Sequence, residues 1–259
     1  MNQEVYFVDS FTSELFRGNP AGVIFYTEAM SDGLMQKIAT ENNLSETAFI
    51  NINSNEIRFF TPEIEVDLCG HATLASAFIY FNFIDAKKSE VTFHSKRGSL
   101  FALKVEAGIQ VTLPRDTLKE AGNYGLFADA LNVPVNELYK GIDDYLVILD
   151  SEDTVKNLKP NFEMLKKIDA RGIVVSAKGN EIDFVSRWFG PQTGVNEDPV
   201  TGSAHALLAP YWANNLGKKH MQAAQLSPRG GKLDCKLDDE LVHITGEAKL
   251  YLKGKINLD

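Results

Sequence analysis

Cysteine is scarce in this chain, with only Cys69 and Cys235 among 259 residues. Two thiols without a secretory context exclude a disulfide-stapled scaffold and predict a reduced, cytoplasmic protein. Basic charge is also short: 26 Lys and Arg face 35 Asp and Glu, for a formal net charge of −9. That balance argues against non-specific binding to nucleic acid or to an anionic membrane, although a local positive site can still take a small acidic ligand. No apolar run spans a bilayer without polar interruption. The opening "MNQEVYFVDSF" lacks a basic start followed by an apolar core, so no signal peptide is expected. Low-complexity segments, a glycine-rich phosphate loop and a Gly-x-Ser-x-Gly elbow are all missing. His94, His205, His220 and His243 lack carboxylate or thiol companions at metal-ligand spacing, so no metal site is predicted.

What is present is a sequence of short strands and a few helices. "EVYFVDSF", "AGVIFY", "TAFINI" and "EIRFF" are β-branched and aromatic-rich and predict strands. "SDGLMQKIATENN" starts on a candidate N-cap, Ser31 or Asp32, and spaces Leu34, Met35, Ile38 and Ala39 as a helix does. Three glycine-punctuated strands follow, and the pattern turns polar between Pro114 and Asn123. A boundary there predicts lobes at 1–116 and 117–259. In the second half "DYLVILD", "GIVVSA" and "EIDFVSRWF" predict strands, followed by a helix and the closing strands of "LVHITGEAKLYLKGKI". Residues 68–84 and 199–217 contain no Lys, Arg, Asp or Glu. A helix without a charged face is buried all round. Each is therefore expected at the centre of its own lobe, inside a wrapped sheet.

The stretches before those helices resemble each other. Arg58-Phe59-Phe60, Pro62 and Val66 match Arg187-Trp188-Phe189, Pro191 and Val195 at a constant offset of 129. The second copy then runs three residues longer, and Gly70-His71-Ala72 lies against Gly202-Ser203-Ala204. Two aromatic strands can look alike by chance, but an uncharged helix after each favours duplication. Two pseudo-symmetric lobes could set two helix N-termini across one cleft. Their unsatisfied N–H groups and dipoles suit a carboxylate, and Gly70 and Gly202 would allow close approach to the backbone.

Four ordered motifs, "DSFTSELFRGNPAGV", "NNLSETAF", "DLCGHATLASAF" and "NEDPVTGSAHA", run from Asp9 to Ala206. With them the chain resembles the PhzF-like (phenazine-biosynthesis-type) isomerases over essentially its whole length. The resemblance implies the α+β, diaminopimelate epimerase-like fold: two similar lobes, each a mostly antiparallel sheet curled around a central helix. It also implies a homodimer and a small carboxylate-bearing substrate. Such enzymes shift a hydrogen within a dihydro-hydroxyanthranilate ring by side-chain acid–base chemistry, without cofactor or metal. Carried over by motif, the catalytic positions are Glu46, His71 and Asp198. Asn19, Ser45, Gly70, Thr201, Gly202 and Ser203 become binding candidates.

Each residue also has a plainer reading. Glu46 outside its motif is a solvated turn residue; within it, a general base whose proton affinity must rise toward neutrality by desolvation or a nearby carboxylate. Asp198 could be that neighbour, titrating with it as a coupled pair, or simply an N-cap before Pro199. His71 in a first helical turn is disfavoured as an imidazolium and could relay a proton, or could only pack. Related racemases and epimerases of this fold use one cysteine per lobe. Here Cys69 occupies the first such position and Thr201 the second, so Cys69 is expected to pack as a small apolar residue. A racemase using Cys69 with a non-thiol partner, and a small-acid-binding protein without turnover, remain the alternatives.

Overall fold

Alternation in the first strand and the apolar runs after it build one sheet. In the computed structural model, which describes residues 2–258, the first compact unit is Met1–Leu113 together with Thr245–Asp259. β1 (Asn2–Ser10), β2 (Asn19–Tyr26), β3 (Glu46–Asn51), β4 (Ile57–Phe60) and β5 (Glu65–Val66) lie side by side in that order. β2 and β3 are parallel, so the chain must cross over between them, and α1 (Asp32–Asn42) makes the crossing. Ser31 caps α1 by accepting the Leu34 N–H, and Asn43 ends it in the left-handed region. Met35, Ile38 and Ala39 turn into the cluster formed by Val5, Ile24, Phe49 and Phe60. The uncharged segment forms α2 (Gly70–Ile79), in which every residue except Phe78 is buried. It packs on β1, β2 and β3. Thr73 and Ser76 are tolerated there because their hydroxyls donate to the Cys69 and Ala72 carbonyls. A π turn over Tyr80–Ile84 leads into an antiparallel ribbon of β6 (Glu90–Ser95), β7 (Gly98–Val105) and β8 (Gly108–Pro114).

The second unit, Pro114–Ile244, repeats the plan. β9 (Lys119–Glu120), α3 (Tyr124–Leu131) and β10 (Glu137–Lys140) precede β11 (Asp144–Ile148). α4 (Glu152–Asn157) and α5 (Phe162–Leu165) then cross to β12 (Gly172–Lys178), which runs parallel to β11 as β3 does to β2. β13 (Phe184–Gly190) and β14 (Val195–Asp198) lead to the second uncharged helix, α6 (His205–Leu216). β15 (His220–Gln225), β16 (Gly231–Leu237) and β17 (Leu241–Gly246) follow. The sheet order is β16-β15-β13-β12-β11-β10-β9, with β14 also on β13. α6 packs on β15 and β16, and its Trp212 donates Nε1–H to the Ser176 hydroxyl of β12.

The sequence repeat is a structural one. Arg58 on β4 grips Glu65 through Nε and Nη2 at 2.8 and 2.9 Å. Arg187 on β13 grips Glu197 through the same atoms at 2.7 and 2.9 Å, with the extra residues absorbed between. Each guanidinium also lies over the aromatic ring two residues on, Phe60 or Phe189.

β18 (Ala248–Asn257) pairs antiparallel with β1 along its whole length. The break near residue 114 falls where the sequence turns polar, but the last strand lies in the first unit, not with residues 117–244. Pairing between the two ends of a chain leaves no local signal. No helix among the described residues is long and apolar enough to cross a membrane.

Candidate active site

In the first unit, three element starts bring Asn19, Glu46 and Gly70-His71 together. Asn19 opens β2 directly after Gly18, whose φ is +65° and where a side chain would lie 2.1 Å from the Ser10 carbonyl oxygen. Only glycine permits that approach. Asn19 is fully buried, and its Nδ2 lies 3.1 Å from His71 Nδ1. His71 Nε2 lies 3.2 Å from Glu46 Oε2. Glu46 opens β3 and keeps 18 % of its side chain exposed, although Oε2 itself is buried. Ser10, at the end of β1, donates its hydroxyl to the His71 carbonyl at 2.9 Å, pinning the first turn of α2. Cys69 is the N-cap of α2 in an extended conformation, and no side chain caps the helix. The N-terminal end of a helix carries the positive end of its dipole, a setting that favours negative charge. Ser45 stands half-buried beside Glu46.

Cys69 is buried as expected, but it does more than fill space: its Sγ lies 3.4 Å from His71 Nδ1. Glu46, Cys69 and His71 each place one ligand atom within 4.8 Å of the others. A carboxylate, a thiol and an imidazole so grouped are a donor set that suits zinc. The expectation of no metal had weighed only the other four histidines, because 23 residues separate Glu46 from Cys69.

In the second unit, Asp198 is not a helix cap. The chain first makes a 3-10 turn over Gly202–Ala204, and α6 starts only at His205. The Asp198 carboxylate instead accepts the Thr201 hydroxyl at 2.5 Å. Gln225 ties the same loop down, accepting the Thr201 N–H at 2.9 Å and donating to the Asp198 carbonyl at 2.8 Å. Ser203 Oγ accepts from Arg171 Nη1 at 3.0 Å. Arg171 is clamped through Nε and Nη2 by the Asp144 carboxylate, which also accepts Trp188 Nε1–H at 3.2 Å. Trp188 reaches Asp144 through a slot between two glycines: a side chain at Gly172 or Gly190 would lie 2.3 or 2.1 Å from its ring. Burial alone would lower the Arg171 pKa, but Asp144 outweighs it and holds the guanidinium above its ordinary value. His205, fully buried, has Nδ1 3.0 Å from the Thr201 carbonyl, and burial pushes its pKa down to about 4.

Of the positions carried over by motif, Asn19, Glu46, Gly70 and His71 lie together in the first unit, and Asp198, Thr201, Gly202 and Ser203 share one loop in the second. Ser10, Arg171 and Gln225, which the motifs did not name, bond directly to these positions, and Asp144 holds Arg171. The available signal for Asp144 and Arg171 was weak: each is a charge at the edge of a run of buried strand residues.

The family pattern described as "Phenazine biosynthesis-like protein" matches residues 8–254. A protein of Pseudomonas aeruginosa named an uncharacterized isomerase is 42 % identical over 100 % of both chains. The crystal structure of a PhzF-family phenazine biosynthesis protein of Enterococcus faecalis superposes with a TM-score of 0.96 at 42 % identity, covering 100 % of both chains. A probable proline racemase of Agrobacterium radiobacter shares the fold alone, with a TM-score of 0.66 at 8 % identity over 99 % of this chain and 93 % of its own. The fold is accordingly the diaminopimelate epimerase-like α+β fold. By pattern, sequence and structure, the chain belongs to the phenazine biosynthesis-like family of isomerases.

Proposed function

We propose that this isomerase moves a proton between carbon atoms of a small carboxylate-bearing substrate, with Glu46 as the general base. The observation that carries the proposal is the placement of Glu46: one carboxylate oxygen is buried against His71, while the side chain stays partly exposed. A carboxylate fixed by one oxygen can take a proton from carbon with the other and return it to a different carbon. No net charge or redox change results, so no cofactor is needed. The start of α2, whose N-cap Cys69 makes no side-chain cap bond, is assigned to the substrate carboxylate.

In the second unit we assign Asp198 as a further acid–base group, on the strength of the motif "NEDPVTGSAHA" that carries the family resemblance and of its contact with Thr201. Gly202 and Ser203 are assigned to binding, and Thr201 to holding Asp198. Ser45 is kept as a binding residue by motif. A cytoplasmic homodimer is proposed from the family resemblance, with sedimentation equilibrium as its test.

One observation favours a second reading. The 3.4 Å contact between Cys69 Sγ and His71 Nδ1 would let a racemase-type thiol act as base. Against it, the repeat puts Thr201 where the second thiol would be. Cys235 is no substitute, being fully buried in a setting that pushes its thiol pKa up. The test is hydrogen exchange followed by proton NMR in heavy water, using a panel of cyclic and open-chain unsaturated or α-substituted carboxylic acids. Exchange or isomerisation lost in Glu46→Gln and kept in Cys69→Ala supports the glutamate base. The reverse pattern would replace it with the thiol.

A further inference from the structure

We infer that Glu46, Cys69 and His71 form a binding site for a thiophilic divalent cation, zinc above all, and that the ion, once bound, blocks the isomerase. Cys69 Sγ lies 3.9 Å from His71 Nε2, and Nε2 lies 3.2 Å from Glu46 Oε2. Around a tetrahedral zinc ion a sulfur and a nitrogen stand about 3.6 Å apart, and a nitrogen and an oxygen about 3.4 Å. Both separations in this protein are close to those. The three ligand atoms all lie within 4.8 Å of one another. The carboxylate therefore has about 1 Å at most to move to complete the set.

Sulfur, imidazole nitrogen and carboxylate oxygen are donors that zinc takes, whereas magnesium and calcium take oxygen. Charge favours the same ion. Cys69 and His71 are nearly covered, and Glu46 keeps 18 % of its side chain exposed, which leaves a way in. A thiolate and a carboxylate around a divalent ion sum to zero, so the complex adds no net charge to a buried place. Cys69 and His71 flank Gly70 at the start of α2, and the Ser10 hydroxyl holds the His71 carbonyl. Two of the three ligands are thus in place before the ion arrives.

Binding is an exchange without redox: the Cys69 S–H bond breaks, its proton passes to water, and a sulfur–zinc bond forms. Three protein ligands leave one position of the tetrahedron open. The block rests on Glu46 being the base, because a carboxylate whose charge is committed to the ion no longer takes a proton from carbon. Binding itself does not depend on that reading.

The test takes the whole chain, freed of metal by a chelator, and titrates it with cobalt(II) chloride as a spectroscopic substitute for zinc. One ion per chain should bind, with sulfur-to-cobalt charge-transfer absorption in the near ultraviolet and the visible bands of a tetrahedral ion. Zinc chloride should bleach both. The chain has two thiols, so Cys235→Ala, which removes the one outside the site, should keep the spectrum. Cys69→Ala should lose the charge-transfer band and bind zinc at least about a hundredfold more weakly, since losing even a residue that only supports a ligand costs about 10–100-fold. A wild-type protein without the band, or a band that survives in Cys69→Ala or vanishes in folded Cys235→Ala, overturns the site. The wild-type and Cys235→Ala spectra decide it even if Cys69→Ala does not fold. In the exchange assay one equivalent of zinc should stop turnover and chelator should restore it; exchange that continues with zinc bound overturns the block. Exchange that survives Glu46→Gln removes Glu46 as the base and leaves the cobalt spectrum standing.

Discussion

Acidification should destabilise the second unit through one histidine. His205 is fully buried, its Nδ1–H is bonded to the Thr201 carbonyl, and burial holds its pKa at about 4 against an ordinary 6.5. Above pH 6.5 the ring is neutral in both folded and unfolded chains, and the folded state is at full advantage. Between 6.5 and 4 only the unfolded chain takes up the proton, so stability falls as pH falls through this window. At about 1.36 kcal/mol per unit, the full 2.5-unit difference amounts to roughly 3 kcal/mol. By pH 4.5, about 2.5 kcal/mol of it should be gone.

Both tryptophans, Trp188 and Trp212, lie in this unit, so intrinsic fluorescence during urea unfolding reads it alone. The measurement compares unfolding free energies at pH 7 and pH 4.5 in wild type and in His205→Gln. The variant removes the titration while other carboxylates continue to titrate in both proteins. Wild type should lose about 2.5 kcal/mol more than the variant over this interval. Equal losses in the two proteins would refute the reasoning. Because His205 carries the Thr201 carbonyl, the same acidification should loosen the loop that holds Asp198.

Glu197→Gln should destabilise by about 3 kcal/mol in urea unfolding, because it strands the buried Arg187 guanidinium. Glu65→Gln should cost less, since Arg58 retains Asp32. Gly172→Ala should cost about 1–3 kcal/mol and shift Trp188 fluorescence in a Trp212→Phe background, as the new methyl meets the indole. Arg171→Lys keeps the charge and loses the fork, which releases Ser203. An acid identified by the exchange panel should then bind roughly tenfold more weakly by calorimetry, the worth of one charge-assisted hydrogen bond of about 1.5 kcal/mol. Dialysis against a chelator should leave hydrogen exchange unchanged; loss restored by zinc would instead make Glu46, Cys69 and His71 a working metal site.

Much of this protein was legible in its sequence. The uncharged stretches at 68–84 and 199–217 announced two central helices, because a helix with no charged face has nowhere to go but inside. The Arg-aromatic-Phe repeat announced two similar units, and Ser31 announced the start of α1. Helices α3 to α5 escaped notice, being only four to eight residues long, too short for periodicity to register. The plainer reading of Asp198 as a cap rested on Asp before Pro opening many helices; the loop ahead of the 3-10 turn that delays α6 is instead tied down by Gln225, 27 residues beyond Asp198.

The sequence by itself determined the candidate chemistry: which carboxylates and imidazole stand in the motifs, and that only one thiol stands at a helix start. Those are matters of residue type and short spacing. Tertiary structure alone decided how they act on one another. Asn19, Glu46 and His71 meet only because β2, β3 and α2 begin at one place, and 52 residues separate Asn19 from the imidazole nitrogen it faces. Arg171 reaches Ser203 across 32 residues in the same way. A hydrogen bond or a buried charge depends on distances of about 3 Å, and chain positions far apart in sequence set such distances only when the fold closes.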